Sequence, residues 1–168
     1  MSILRDKKGR FTCIVNGTEI TYTNFDYIPE KVDAVVKFEP KIPPAPHSIN
    51  DHQEIADIAV DFEDLMSRTS GPPPATRIGD KDVPHCSGMV RAEGSENVFV
   101  NGIPWSLQGH INTPHLIPSG DDCDIHTAPI ATGSSTVIVN GVGSGRVGDS
   151  ISGCTQVAEG SPNVFAGG

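Results

Sequence analysis

A nine-residue phrase is written three times in this chain of 168 residues: GSENVFVNG over 94–102, GSSTVIVNG over 133–141 and GSPNVFAGG over 160–168. A unit this short cannot bury an apolar face alone. Copies of it must stack or wrap so that equivalent positions become spatial neighbours. Each phrase is apolar for a few residues, and the first two end at Asn-Gly, so they read as short strands entering tight turns.

Extending the alignment exposes a second constant element. RIGDKDVPH (77–85), LQGHINTPH (107–115) and RVGDSISGC (146–154) each carry Gly-Asp or Gly-His, then four residues, then a metal-capable side chain. Those side chains are His85, His115 and Cys154, spaced by 30 and then 39 residues. Three copies are consistent with a pseudo-threefold arrangement, in which three equivalent ligands converge near one axis. His126, in the longer insertion between the second and third copies, is the expected fourth ligand; His110 and Cys123 are its rivals. Three imidazoles and one thiolate form a closed tetrahedral shell suited to zinc, with no open position, and hence a structural site. Asp80 and Asp149 are expected to cap their turns by accepting backbone N–H bonds, and His110 takes that position in the second copy. Cys86, next to His85, points the other way on an extended segment. Cys86 and Cys123 are read as buried or free thiols.

The residues before the repeats differ in kind, and the boundary is placed at Gly71–Pro74, giving an extension over 1–70 and a repeat domain over 71–168. In the extension, FTCIVNGTEITYT (11–23) places Asn16-Gly17 between two β-rich runs, the signal for a two-residue hairpin turn. The proline-broken stretch 38–48 reads as extended or loop. Ile55, Ile58, Phe62 and Leu65 recur at helical spacing, and Asp51 with Glu54 resembles a capping box. The fold class expected is therefore mainly β: a small β-repeat domain preceded by a short α+β extension.

Composition narrows the function. The net charge of −9 disfavours phosphate, so nucleic acid and anionic membrane surfaces are poor partners. No apolar run reaches the 18 or so residues needed to span a bilayer. The start, MSILRDKKGR, is charged where a secretory leader needs an apolar core, so no cleaved leader is expected, and a disulfide framework becomes the less favoured reading.

The repeated Gly-Asp turns ending in His or Cys, followed by the Gly-Ser…Asn-Gly phrase, resemble the PAAR family over roughly 75–168. The eponymous Pro-Ala-Ala-Arg stretch is degraded in IPWSLQG (103–109) and VGSGRVGD (142–149), where Pro104 and Arg146 remain. The resemblance implies a small conical β-protein that sits as one copy on a trimeric β-helical spike. The partner would be a VgrG-like protein or a phage hub, in the baseplate region of a contractile injection machine such as a type VI secretion system, a phage tail or a related particle. It implies zinc near the apex, held by histidines and a cysteine, and a structural, envelope-piercing role rather than an enzymatic one. The protein is then expected to be made in the cytoplasm and to reside in a virion tail or particle tip. The extension is expected to support the tip or hold cargo, the cargo- or effector-adaptor role being the runner-up. A zinc-dependent hydrolase is the weaker alternative, because no HExxH, GxSxG or Cys-His-Asn set is present. DDCD (121–124) lacks the full spacing of a calcium loop. Trp105, the single tryptophan, is expected to pack in the core or against the partner.

Overall fold

The computed structural model describes residues 7–167. Residues 1–6, part of the charged start read above as no leader, and Gly168, the last residue of the third phrase, lie outside the described residues. Strands β1 (Lys8–Val15) and β2 (Thr18–Asn24) form the expected hairpin. Its turn residues Asn16 and Gly17 take φ of 51° and 77°, the left-handed pair that a twisted two-residue turn requires. Strand β3 (Ala34–Pro40) pairs antiparallel with the other edge of β1, and Pro40, which has no N–H to continue a ladder, closes the strand.

Helix α1 (Ile49–Ser67) buries Ile55, Ile58, Phe62 and Leu65, the stripe read from the sequence. Its start differs from the expectation. The capping box is Ser48 with Asp51, not Asp51 with Glu54: Ser48 Oγ accepts from the Asp51 N–H at 3.2 Å, and the Ser48 N–H donates to Asp51 Oδ2 at 2.7 Å. A cap three residues earlier serves the Asp51 amide instead of the Glu54 amide, and the helix gains its first residues from it.

The extension shares its core with the repeats. Phe11, Phe25, Phe38 and Phe62 form an aromatic chain with centroid separations of 5.1–6.5 Å, and Val83, Val147 and Ala158 complete the cluster from beyond residue 70. Each fully buried phenylalanine contributes roughly 1.5–3 kcal/mol, so this cluster is a main source of stability. The outer edge of β3 is bonded as well: Phe38 N–H donates to the Ala158 carbonyl at 2.8 Å and Gly160 N–H to the Val36 carbonyl at 2.9 Å.

Among the described residues, the repeat region holds three short antiparallel hairpins. They are β4 (Phe99–Val100) with β5 (Ile103–Pro104), β6 (His115–Ser119) with β7 (Asp122–His126), and β8 (Ile138–Val139) with β9 (Val142–Gly143). β6–β7 is the insertion, and it carries the acidic run within a strand and its turn. Three segments at residues 75–77, 105–107 and 144–146 then pair cyclically: Arg77 with Trp105, Leu107 with Ser144, and Arg146 with Ala75. At the centre Ser106 N–H donates to the Thr76 carbonyl at 2.9 Å, Thr76 N–H to Gly145 at 3.1 Å, and Gly145 N–H to Ser106 at 3.0 Å. The triangle closes on itself, so the three repeats surround one pseudo-threefold axis. Gly145 has no room for a side chain, because a β-carbon would run into the Ser106 carbonyl.

A second ring repeats the logic at the Gly-Ser turns. Ser95, Ser134 and Ser161 each accept with Oγ from the N–H three residues on, at 2.9–3.0 Å. Each turn is then gripped by the tip of another copy. Asn140 donates to Asn97 at 2.8 Å, Asn101 donates to Asn163 at 2.8 Å, and Ser134 donates to the Gly167 carbonyl. The third copy has glycine where the others have asparagine, and its backbone replaces the missing side chain. Asn101 and Asn140 have φ of 53° and 51° and each is followed by a positive-φ glycine, the same turn as at Asn16-Gly17. Trp105 is buried, and its Nε1–H donates to the Gly145 carbonyl at 2.9 Å, which assigns it to the core.

Candidate metal centre

Each strand passes through the central triangle, turns at a Gly-Asp or Gly-His corner, and continues to the ligand position. Asp80 Oδ2 accepts from the Arg77 N–H and Asp149 Oδ2 from the Arg146 N–H, both at 2.8 Å; His110 Nδ1 accepts from the Leu107 N–H at 3.0 Å. The same backbone amide is thus capped in all three copies, by carboxylate or imidazole. Arg77 and Arg146 also clamp their aspartates through the guanidinium, at 2.9 Å in each ion pair. Burial pushes the Asp149 carboxyl up, against the pull of Arg146, and pushes the His110 imidazole down. Gly79, Gly109 and Gly148, each directly before its capping residue, have φ of 86–90°, the left-handed corner that turns each copy.

Beyond the corners the structure brings His85, His115, His126 and Cys154 together, with one donor atom from each lying within 4.8 Å of every other. Cys154 Sγ is 3.1 Å from His85 Nε2, 3.4 Å from His115 Nε2 and 3.6 Å from His126 Nε2. His115 is buried, and its Nδ1 lies 2.8 Å from the Thr113 carbonyl, a bond that leaves Nε2 free to bind. His126 arrives by register: it pairs directly with His115 across β6–β7, and their ring centroids are 4.2 Å apart. His110 is absent from the group, being engaged at its corner.

The electrostatics favour uncharged ligands. Burial, with His115 and His126 adding to it, pushes His85 down to about 4, and burial also lowers His115. Burial, reinforced by the nearby Asp82 carboxylate, pushes the Cys154 thiol up to about 11. Burial therefore keeps the His85 and His115 imidazoles neutral and Cys154 a thiol, and a divalent ion must displace the thiol proton to bind. The donor set fits zinc. Bonds of about 2.0 Å to nitrogen and 2.3 Å to sulfur place tetrahedral N and S ligands about 3.5 Å apart.

One buried polar unit stands between the triangle and the cluster. Arg91, fully enclosed, donates from Nη1 to Asp82 Oδ2 at 2.9 Å and from Nη2 to the His110 carbonyl. Asn112 donates to the same Asp82 oxygen at 3.0 Å. Burial holds the Asp82 carboxyl up at about 6 even with Arg91 beside it.

The remaining cysteines correct the sequence reading. Cys86 does point away from the His/Cys cluster, but it is not a free thiol: Cys86 and Cys123 are joined by a disulfide, with Cα atoms 6.5 Å apart. The expectation of no cleaved leader weighed against this pairing, and no local pattern signals that the insertion hairpin folds back over residue 86. A second group went unread. His47 and His52 lie with Cys86 and Cys123 in a set whose donor atoms are also within 4.8 Å of one another. The first copy of the eponymous stretch was missed as well. Pro74-Ala75-Thr76-Arg77 precedes the first phrase instead of following it, and it supplies one side of the central triangle.

A family model for the PAAR motif matches residues 120–168, the insertion hairpin and the third copy. That match supports the PAAR-repeat resemblance, whose family comprises spike-tip proteins of contractile injection systems. No curated protein matches the chain. Among the described residues, no helix is long and apolar enough to cross a membrane.

Proposed function

We propose that this protein is the tip of a contractile injection machine, seated as one copy on the end of a trimeric β-helical spike and sharpened for envelope piercing. The observation that carries this reading is the closed backbone triangle of residues 76, 106 and 145, which gives a single chain the symmetry of a trimer. The equivalent residues Phe99, Ile138 and Phe165, one per phrase, are exposed on the hairpin side of that triangle. An apolar residue repeated at three symmetric positions suits three identical spike chains, whose terminal strands would extend onto short hairpin edges.

His85, His115, His126 and Cys154 would hold one zinc ion on the far side of the triangle, at the apex. With four protein donors the ion has no open position, so its role is to tie the three repeats and the insertion together, not to activate water. The boundary at residue 70 we read as functional rather than mechanical. The extension shares the aromatic core, and we assign it to bracing the tip, with cargo holding as the rival outcome.

The test is co-purification with a trimeric β-helical spike. One chain per trimer is the expected stoichiometry, and Phe99→Asp with Phe165→Asp should abolish capture while leaving the chain folded. A stable homotrimer of this protein alone, or capture unaffected by the double substitution, refutes the docking mode.

A further inference from the structure

The second His/Cys group has no part in the proposed apex, and it lies where the extension meets the insertion hairpin. Its histidines are placed by the helix start. His47 directly precedes the Ser48 cap and His52 is the fourth residue of α1, the two positions that an apolar staple usually fills. Here imidazoles occupy both, with ring centroids 6.0 Å apart. His47 Nε2 bonds the Pro43 carbonyl at 2.9 Å, which fixes the ring and leaves Nδ1 as the binding atom. That Nδ1 lies 3.8 Å from Cys123 Sγ, and His52 Nε2 lies 3.7 Å from the same sulfur. These separations are close to the roughly 3.5 Å between nitrogen and sulfur ligands of one zinc ion. Two imidazole nitrogens aimed at one half-buried sulfur form a donor set that a disulfide alone does not require.

We propose that, with the Cys86–Cys123 bond reduced, His47, His52, Cys86 and Cys123 bind a second zinc-class ion in a Cys2His2 shell that clasps the start of α1 to the insertion hairpin. A dithiol reductant delivers two electrons and two protons to the disulfide, giving two thiols, and leaves as its own disulfide. Metal uptake then releases the two thiol protons and forms two metal–thiolate bonds. The sulfurs must separate to about 3.8 Å, the sulfur–sulfur edge of a zinc tetrahedron, which rotation about the two Cα–Cβ bonds provides. A thiol oxidant that removes two electrons reverses the sequence, re-forms the disulfide and expels the ion. The same short elements serve both clusters: adjacent Cys86 and His85 face opposite ways, and β7 supplies Cys123 to one cluster and His126 to the other.

The experiment uses the full chain, kept under a phosphine reductant, loaded with zinc chloride, freed of excess and assayed for zinc per chain by mass spectrometry. The expected result is that oxidation with diamide releases one ion per chain. His47→Ala with His52→Ala should hold one ion fewer than wild type under reduction. In the cobalt-substituted protein, the same pair of substitutions should remove the thiolate charge-transfer absorption of a two-sulfur site. If neither oxidation nor the double substitution changes the metal count, the proposal is overturned. The oxidation arm needs no variant, so a folding defect in the double mutant does not shield the proposal. The cobalt-substituted protein separates the two centres without a variant, because diamide should remove the charge-transfer band of the two-sulfur site and leave that of the one-sulfur apex. If the apex reading fails, reduced wild type holds a single ion, and diamide still expels it.

Discussion

Replacing Arg91 by methionine isolates the buried polar unit under the apex. Methionine fills much of the same volume, so the loss is chiefly of charge and hydrogen bonds. The Asp82 carboxylate would keep only the Asn112 amide at 3.0 Å, and its other oxygen, already unpartnered, would stay so. Removing one member of a buried ion pair costs about 3–5 kcal/mol. A proton limits that cost. Burial already holds Asp82 at about 6, with Arg91 the main opposing influence, so its loss raises the carboxyl further. An acid whose folded pKa lies above its unfolded value, about 3.9 for Asp, loses stability as pH rises through the interval between them. That interval ends near 6 in the wild type and extends higher in the variant. The deficit of Arg91→Met should therefore be larger at pH 8.5 than at pH 6.5. Urea unfolding of the zinc-loaded full chain at the two pH values reads this directly. Adding Asp82→Asn should recover most of the loss, giving a coupling of about 1–3 kcal/mol. A deficit below about 1 kcal/mol, one that is flat with pH, or a double variant no better than the single would refute the reasoning.

The other expectations concern the metal and the axis. His85→Ala or Cys154→Ala should eliminate the apex ion and destabilise the repeat region by an amount on the order of 10 kcal/mol, seen as a collapse of the calorimetric transition; a melting curve that overlays wild type would remove the structural role. The zinc-loaded chain should lose stability as pH falls from the ordinary histidine value of about 6.5 towards 4, because the unfolded chain takes up a proton that folded His85, held at about 4 chiefly by burial, resists. Denaturant titrations across that range that show no decline would contradict it. Gly145→Ala should cost more than about 2 kcal/mol, since its methyl meets the Ser106 carbonyl on the axis, whereas Gly79→Ala, strained in φ but facing open space, should cost about 1 kcal/mol. Thermal unfolding of the pair gives the comparison.

Much of this was legible because the repeats are written in register. The Asn-Gly turns, the helix stripe and the offset linking Gly-Asp to His or Cys are local patterns, and local patterns survive in a single sequence. His126 was legible as a candidate but not as a register partner of His115, because strand pairing depends on where the hairpin turns, here at Gly120 with φ of 60°. The capping box slipped because Ser48 sits in a proline-rich stretch that reads as loop. Nothing local announced that Val83, Val147 and Ala158 would finish the aromatic core of the extension, or that Cys123 would reach Cys86; both are contacts between distant segments. His47 and His52 were passed over because, in the sequence, each is a lone histidine near a helix end.

The central triangle also dictates an order of events during synthesis. Its third side joins residues 76 and 145, so no subset of the repeats can finish it. A nascent chain with two copies emerged still has open strand edges on both, and it becomes sealed only when Gly145 leaves the ribosome. The loop-closure entropy of that last contact falls on one late step, which slows formation of the tip.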